Sequence, residues 1–249
     1  MRGDADHARP VLQPRRRPHR PRPRRPDRGP VLTGQPATPS PGGPQPGGPE
    51  LDTDPVSLLD QPVREFLEFM AAQVPAPGGG GAAAVTAALA AGLVAMAARF
   101  STARLPAAVQ TAEQADTLRG RVAGLADRDA AAYQGVLSAY RLPRDGDPQQ
   151  RQQRIREALH GAALVPLEIA EIAAQVAGLA PDIAAGGNPN LRGDIVAAAH
   201  LAEAAARSAA ALVDINVELG GLPASLADRA AAAVASAHAA ALRVTGPSS

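Results

Sequence analysis

The sequence contains no cysteine, no tryptophan and no lysine. Without cysteine there are no disulfides, no thiolate metal ligands and no cysteine nucleophiles. Without lysine there is no Schiff-base catalysis, and a P-loop that binds phosphate through its lysine is excluded. The bias toward arginine accompanies much Ala, Gly and Pro, a composition typical of a genome rich in G and C.

Residues 1–55 are rich in Arg, Pro and Gly and poor in large apolar side chains. Such a composition cannot offset the entropy lost on ordering, so it predicts a disordered tail over 1–55 and one folded domain over 56–245. The arginines between Arg15 and Arg28 suit either an anionic partner or simple solvation. No aromatic residue lies among them to stack on bases, so nucleic acid is not an expected partner.

The longest apolar run, Ala82 to Ala98, is mostly alanine, is interrupted by Thr86 and ends at Arg99. It is short and weakly hydrophobic for a membrane span, and the basic tail lacks the apolar segment of a secretory signal. We therefore expect a cytoplasmic protein with no membrane partner.

The rest of the chain has helical rather than alternating periodicity, which predicts an all-α fold, an antiparallel bundle of about six helices, several of them long. Because alanine-rich faces bury little area per residue, we also expect a homodimer. Gly78 to Gly81 are predicted to form a turn before the second helix. The six predicted helices cover about 56–73, 82–100, 106–140, 149–177 with a bend at Pro166, 191–219 and 222–243.

Two aspartates lie on apolar helical stripes. At about 100° per residue, Asp129 shares a face with Leu125, Val136 and Tyr140, whereas Asp127 points to the opposite, solvated side. Asp194 begins a similar stripe within the first turn of the fifth helix. Each could be an acid–base group in a pocket. Alternatively each is structural, with Asp129 hydrogen-bonded to a loop and Asp194 capping its helix.

Two loops contain candidate ligand-binding residues. Gly78, Gly79 and Gly80 precede a helix, where backbone N–H groups bind anions, although glycines also permit close packing. Asn188 and Asn190 lie just before Asp194, in a loop type where Asn is common. The histidines of the helical region lie on different predicted helices without metal-binding spacing, so no metal site is expected.

Five blocks, in order, resemble the cyclodeaminase/cyclohydrolase family of folate enzymes, which includes the C-terminal domain of formiminotransferase-cyclodeaminase. The blocks are Phe66-Leu67 with Pro75 to Gly80, Asp129 to Tyr133 with Leu142-Pro143, Val165 to Ala170, Gly187 to Asn190 with Asp194, and Asp214 to Asn216. The resemblance covers roughly Val56 to Arg243. It departs from the family pattern at Gly81 and Gly193, where serine is usual, and at Ile195-Val196, since the family has a glycine soon after the aspartate.

This resemblance implies an all-α dimer that acts on reduced folate without a further cofactor. One branch of the family hydrolyses 5,10-methenyltetrahydrofolate to 10-formyltetrahydrofolate, and another releases ammonia from 5-formiminotetrahydrofolate. We favour hydrolysis because no formiminotransferase domain is fused to this chain. The family's acid–base carboxylate is expected at Asp194, with Asp129 beside the pocket. A non-catalytic helical dimer that binds folate or a protein partner is the alternative.

Overall fold

A computed structural model describes residues 57–246, so the predictions for residues 1–55 lie outside the described part. Every regular element within 57–246 is helical, which confirms the all-α prediction. Two short 3-10 turns, Leu58–Asp60 and Pro189–Leu191, accompany the longer helices. These are α1 (Val63–Ala71), α2 (Gly79–Arg99), α3 (Ala108–Ala123), α4 (Leu125–Tyr140), α5 (Pro148–Gly186), α6 (Arg192–Gly220) and α7 (Ser225–Thr245).

The core of the bundle is built largely from alanine. Ala84, Ala87, Ala91 and Ala98 on α2 are fully buried and recur at intervals of three, four or seven residues. This spacing places them on one helix face, and their small side chains allow the neighbouring helices to approach closely. α2 packs on α3 and α6, while α5 packs on α6 and α7.

The predicted start of the first helix is wrong, because α1 begins only at Val63. Three further predicted boundaries are also wrong. The first is the glycine turn, because α2 already begins at Gly79. The second is the single helix predicted over 106–140, which is two helices that meet at Gly124, where ψ is −13°. The third is the end of the fourth helix, since α5 continues through Pro181 to Gly186.

Three helices of the described region are long and apolar enough to cross a membrane by length and composition alone. They are Gly79–Arg99, Pro148–Gly186 and the segment Pro189–Gly220. In the first two, more than half of the apolar stretch is buried inside the bundle. Helix packing thus accounts for much of their apolar character.

Candidate active site

A cleft of about 450 Å³ lies between the start of α2, α4, the middle of α5 and the second half of α6. Its walls are mainly apolar, and Asp129 is the one carboxylate among its lining residues. We call this cavity the α2–α4–α6 cleft. Its lining residues are Pro75, Ala76, Gly78, Gly79, Gly80, Asp129, Tyr133, Val136, Leu137, Tyr140, Leu159, Ala162, Pro166, Leu212, Ile215, Asn216 and Leu219.

The Asp129 carboxylate lies against the N-terminus of α2. A Cβ atom at Gly80 would overlap this carboxylate, so the close approach requires glycine at that position. The backbone N–H of Gly81 is close enough to the carboxylate to favour its charged form and lower its pKa. The first N–H groups of a helix have no partner within the helix and favour negative charge. The glycines at this helix end therefore permit the close packing of a carboxylate of the protein itself.

The pKa of Asp129 is raised above the ordinary value of an aspartate. Partial burial is the larger cause, because it disfavours the charged form, and the Gly81 N–H opposes it by lowering the pKa. A carboxyl group whose pKa is moved toward neutrality can both accept and return a proton during a reaction. Asp129 is therefore a candidate acid–base group.

The stripe predicted around Asp129 is present on α4. Asp129, Tyr133, Val136 and Tyr140 all line the α2–α4–α6 cleft. The spacing of four, seven and eleven residues places these side chains on one face of the helix. The apolar face thus extends from the core, where Leu125 is buried, to the wall of the cleft.

Asp194 does not share this cleft within one chain. It lies in the first turn of α6, whereas the cleft contacts α6 only from Leu212 onward. Leu212 is about 18 positions further along, and at 1.5 Å per residue the two positions are about 27 Å apart on the helix axis. Within one chain, Asp194 and Asp129 therefore do not lie in one pocket.

The predicted asparagine loop also lies at the far end of α6. The Asn188 carboxamide oxygen accepts a hydrogen bond from the Asn190 backbone N–H at 3.1 Å. The backbone N–H of Asn188 donates to the hydroxyl of the buried Ser101 at 2.9 Å. These contacts fasten the loop to the end of α2. Asn188 lines a separate cavity of about 200 Å³, beside Arg104 and Arg192.

Several lining residues were not singled out as site residues from the sequence. Leu212, Ile215, Asn216 and Leu219 form a wall on α6 and recur at intervals of three and four residues. The helical spacing of these apolar residues is visible in the sequence, but an apolar stripe on a helix ordinarily indicates the protein core rather than a binding site. Asn216 is the polar exception in this stripe. Among residues 57–246, no three His, Asp or Glu side chains come together to bind a metal ion.

Comparisons with known proteins agree on one family. The formiminotransferase-cyclodeaminase family model matches residues 62–221. A methenyltetrahydrofolate cyclohydrolase from Methylorubrum extorquens is 34% identical over 167 residues, which are 64% of this chain and 80% of the relative. A formimidoyltransferase-cyclodeaminase from Sus scrofa is 32% identical over 175 residues, 65% of this chain but 31% of that larger protein.

A solved structure shares the fold. The crystal structure of formiminotetrahydrofolate cyclodeaminase from Thermotoga maritima superposes with a TM-score of 0.68 at 24% sequence identity, covering 76% of this chain and 96% of that one. The family match spans all four helices that form the α2–α4–α6 cleft. The chain therefore belongs to the formiminotransferase-cyclodeaminase family.

Proposed function

We propose that the protein hydrolyses 5,10-methenyltetrahydrofolate to 10-formyltetrahydrofolate, with Asp129 as the catalytic acid–base group. The observation that carries the proposal is a carboxyl group of raised pKa in the wall of an apolar cleft. The relative from Methylorubrum extorquens, aligned over most of its length, carries the name of this cyclohydrolase. A largely apolar cleft suits the fused rings of a reduced folate.

The reaction adds water to the carbon that bridges N5 and N10 of the substrate. A bond forms between the water oxygen and this cationic carbon while Asp129 accepts one proton from the water. The bond from carbon to N5 then breaks as the new hydroxyl group releases its proton to solvent and becomes the formyl oxygen. Asp129 returns its proton to N5, so one proton is released overall and the carboxylate is regenerated. These steps need the substrate and water, with no further cofactor.

The test measures loss of methenyltetrahydrofolate absorbance, with hydrolysis in buffer alone subtracted. Asp129→Asn keeps the size of the side chain and removes its charge. We expect this variant to lose activity by a factor on the order of 10² or more, the usual scale for acid–base groups. Asp194→Asn is the matched control, since Asp194 lies at the other end of α6, and it should keep the parent rate.

Two outcomes separate the competing functions. If Asp129→Asn turns over the substrate as fast as the parent, or if Asp194→Asn alone is inactive, the assignment of Asp129 is wrong. If the parent leaves methenyltetrahydrofolate unchanged but releases ammonia from 5-formiminotetrahydrofolate, the protein is a cyclodeaminase. The resemblance to the enzyme from Sus scrofa supports testing this second substrate.

We also propose that the protein forms a homodimer. The core consists mostly of alanine, so each helix contributes little apolar area to the stability of a single chain. Large apolar side chains meanwhile remain at the surface, among them Leu89 at 60% and Leu242 at 56% exposure. A second copy that covers part of this surface would bury additional apolar area and so stabilise the fold.

A further inference from the structure

The Asn216 side chain is held in one orientation at the wall of the cleft. Its amide nitrogen lies 3.1 Å from the carbonyl oxygen of Ala162 and 2.9 Å from that of Leu212. Both neighbours are acceptors, so the amide NH₂ group must face them and its two hydrogens are used. The carboxamide oxygen is left pointing away from both carbonyls.

Pro166 explains why the Ala162 carbonyl is available to Asn216. In an α-helix this carbonyl would accept the N–H of the residue four positions later, which is residue 166. Proline has no N–H, and α5 continues through this position. A carbonyl without its helical partner needs another donor, and Asn216 supplies it from α6.

The carboxamide oxygen of Asn216 has no hydrogen-bond donor among the described residues. Among residues 57–246, no polar side-chain atom is both buried and without a partner. The oxygen is therefore accessible, and Asn216 lines the α2–α4–α6 cleft together with apolar side chains. An acceptor in an apolar wall favours a ligand that presents an N–H donor and disfavours one that does not.

We infer that Asn216 is a positioning residue whose carboxamide oxygen accepts a hydrogen bond from an N–H group of the substrate's pteridine ring, in an orientation set by Pro166. The inference rests on the proposed function, because a reduced folate supplies such donors at its 2-amino group, N3 and N8. Asn216 would then fix the ring while Asp129 acts on the water. Pro166 itself lines the cleft, and the role assigned to it is indirect, through the Ala162 carbonyl and Asn216.

The test measures binding of tetrahydrofolate by calorimetry, alongside kcat and KM for methenyltetrahydrofolate. Asn216→Ala should weaken tetrahydrofolate binding about tenfold, as expected for one lost hydrogen bond. Pro166→Ala restores a helical donor to Ala162 and should weaken binding in the parent, but it should add nothing in the Asn216→Ala background. Pro181→Ala, in the same helix outside the cleft, is the control and should leave binding unchanged.

A measurement on the ligand keeps the test valid if a variant folds poorly. In the parent protein, three tetrahydrofolate analogues that lack the 2-amino group, the N3–H or the N8–H in turn should include one that binds about tenfold more weakly. Equal binding of all three analogues, parent affinity in Asn216→Ala, or additive effects of the two substitutions would overturn the inference. If tetrahydrofolate binds but methenyltetrahydrofolate is not hydrolysed, the proposed reaction fails while the binding data still decide the role of Asn216. A parent that binds no reduced folate overturns both.

Discussion

At the scale of single residues, the site depends on how closely one carboxylate approaches a helix end. The sequence predicted Asp129 as an anomalous acid on an apolar face and the glycines as a possible anion site. Periodicity describes one helix at a time, so it could not reveal that the two features on α2 and α4 meet. Periodicity treats Asp194 as equally anomalous on its own helix, and it was the family resemblance that favoured Asp194, which lies outside the cleft within one chain.

The Gly80 position should be the most sensitive glycine of the turn. Gly80→Ala places a methyl group where the Asp129 carboxylate lies, whereas the Cβ atom of Gly79→Ala meets Leu212 at an ordinary distance of 3.7 Å. Both substitutions favour the helix by about 1 kcal/mol in intrinsic propensity. We expect Gly80→Ala to lose at least tenfold in kcat/KM, in line with displacement of a catalytic group, while Gly79→Ala retains activity. Equal activity of the two variants would show that Asp129 need not approach α2.

The raised pKa of Asp129 also predicts how stability depends on pH. A carboxyl group whose pKa is higher in the folded than in the unfolded state disfavours folding when it is ionised, and this penalty is lost when the pH falls below the unfolded-state pKa. Asp129→Asn should therefore raise the thermal midpoint relative to the parent at pH 8. The difference should shrink toward pH 4 and below in thermal unfolding followed by circular dichroism. A difference that grows on acidification would contradict the sign of the shift.

At the scale of helices, the sequence predicted which segments are helical better than where they end. Gly221, with a positive φ of 54°, ends α6 close to the boundary predicted at residue 219. Pro181 was expected to lie beyond the fourth helix, but α5 passes through it because tertiary packing outweighs local propensity. Asp127 was interpreted as a solvated acid, yet it accepts hydrogen bonds from the Ser57 hydroxyl and the Leu58 backbone N–H at 2.5 and 2.8 Å.

These two bonds hold the first 3-10 turn against α4, so Asp127→Ala should destabilise that attachment. One or two hydrogen bonds to a charged acceptor contribute about 1–3 kcal/mol. We expect a loss of this order in the free energy of unfolding by urea, with faster hydrogen exchange at the Leu58 amide. Asp228→Ala is a suitable control because Asp228 is also a first-turn acid, but an exposed one. Similar losses in both variants would mean that the helix dipole, not the attachment, is responsible.

At the scale of the whole molecule, fold class and family follow from the order of weak signals along the chain. The five blocks are distant in sequence, and the described structure brings only some of them to the cleft. The cleft is lined by Pro75, Ala76, Gly78 to Gly80, Asp129 and Asn216, whereas Asn188 and Asp194 lie at the opposite end of α6. Within one chain, the blocks that resemble the family therefore lie in two separate places. The length of α6 separates these two places, because one lies at its start and the other along its second half.

The alanine-rich core also bears on the number of chains in the functional molecule. An alanine core buries little apolar area within one chain, and a second copy would bury more. If such a dimer forms, sedimentation equilibrium at micromolar concentration should give twice the 25.3 kDa chain mass. A dimer that dissociates on unfolding is also stabilised by mass action, so its thermal midpoint should rise with protein concentration. Both measurements are needed, because a dimer whose subunits are stable alone would show the doubled mass without the shift in midpoint. A chain that sediments at 25.3 kDa, with a midpoint independent of concentration, would show that the alanine core is sufficient by itself.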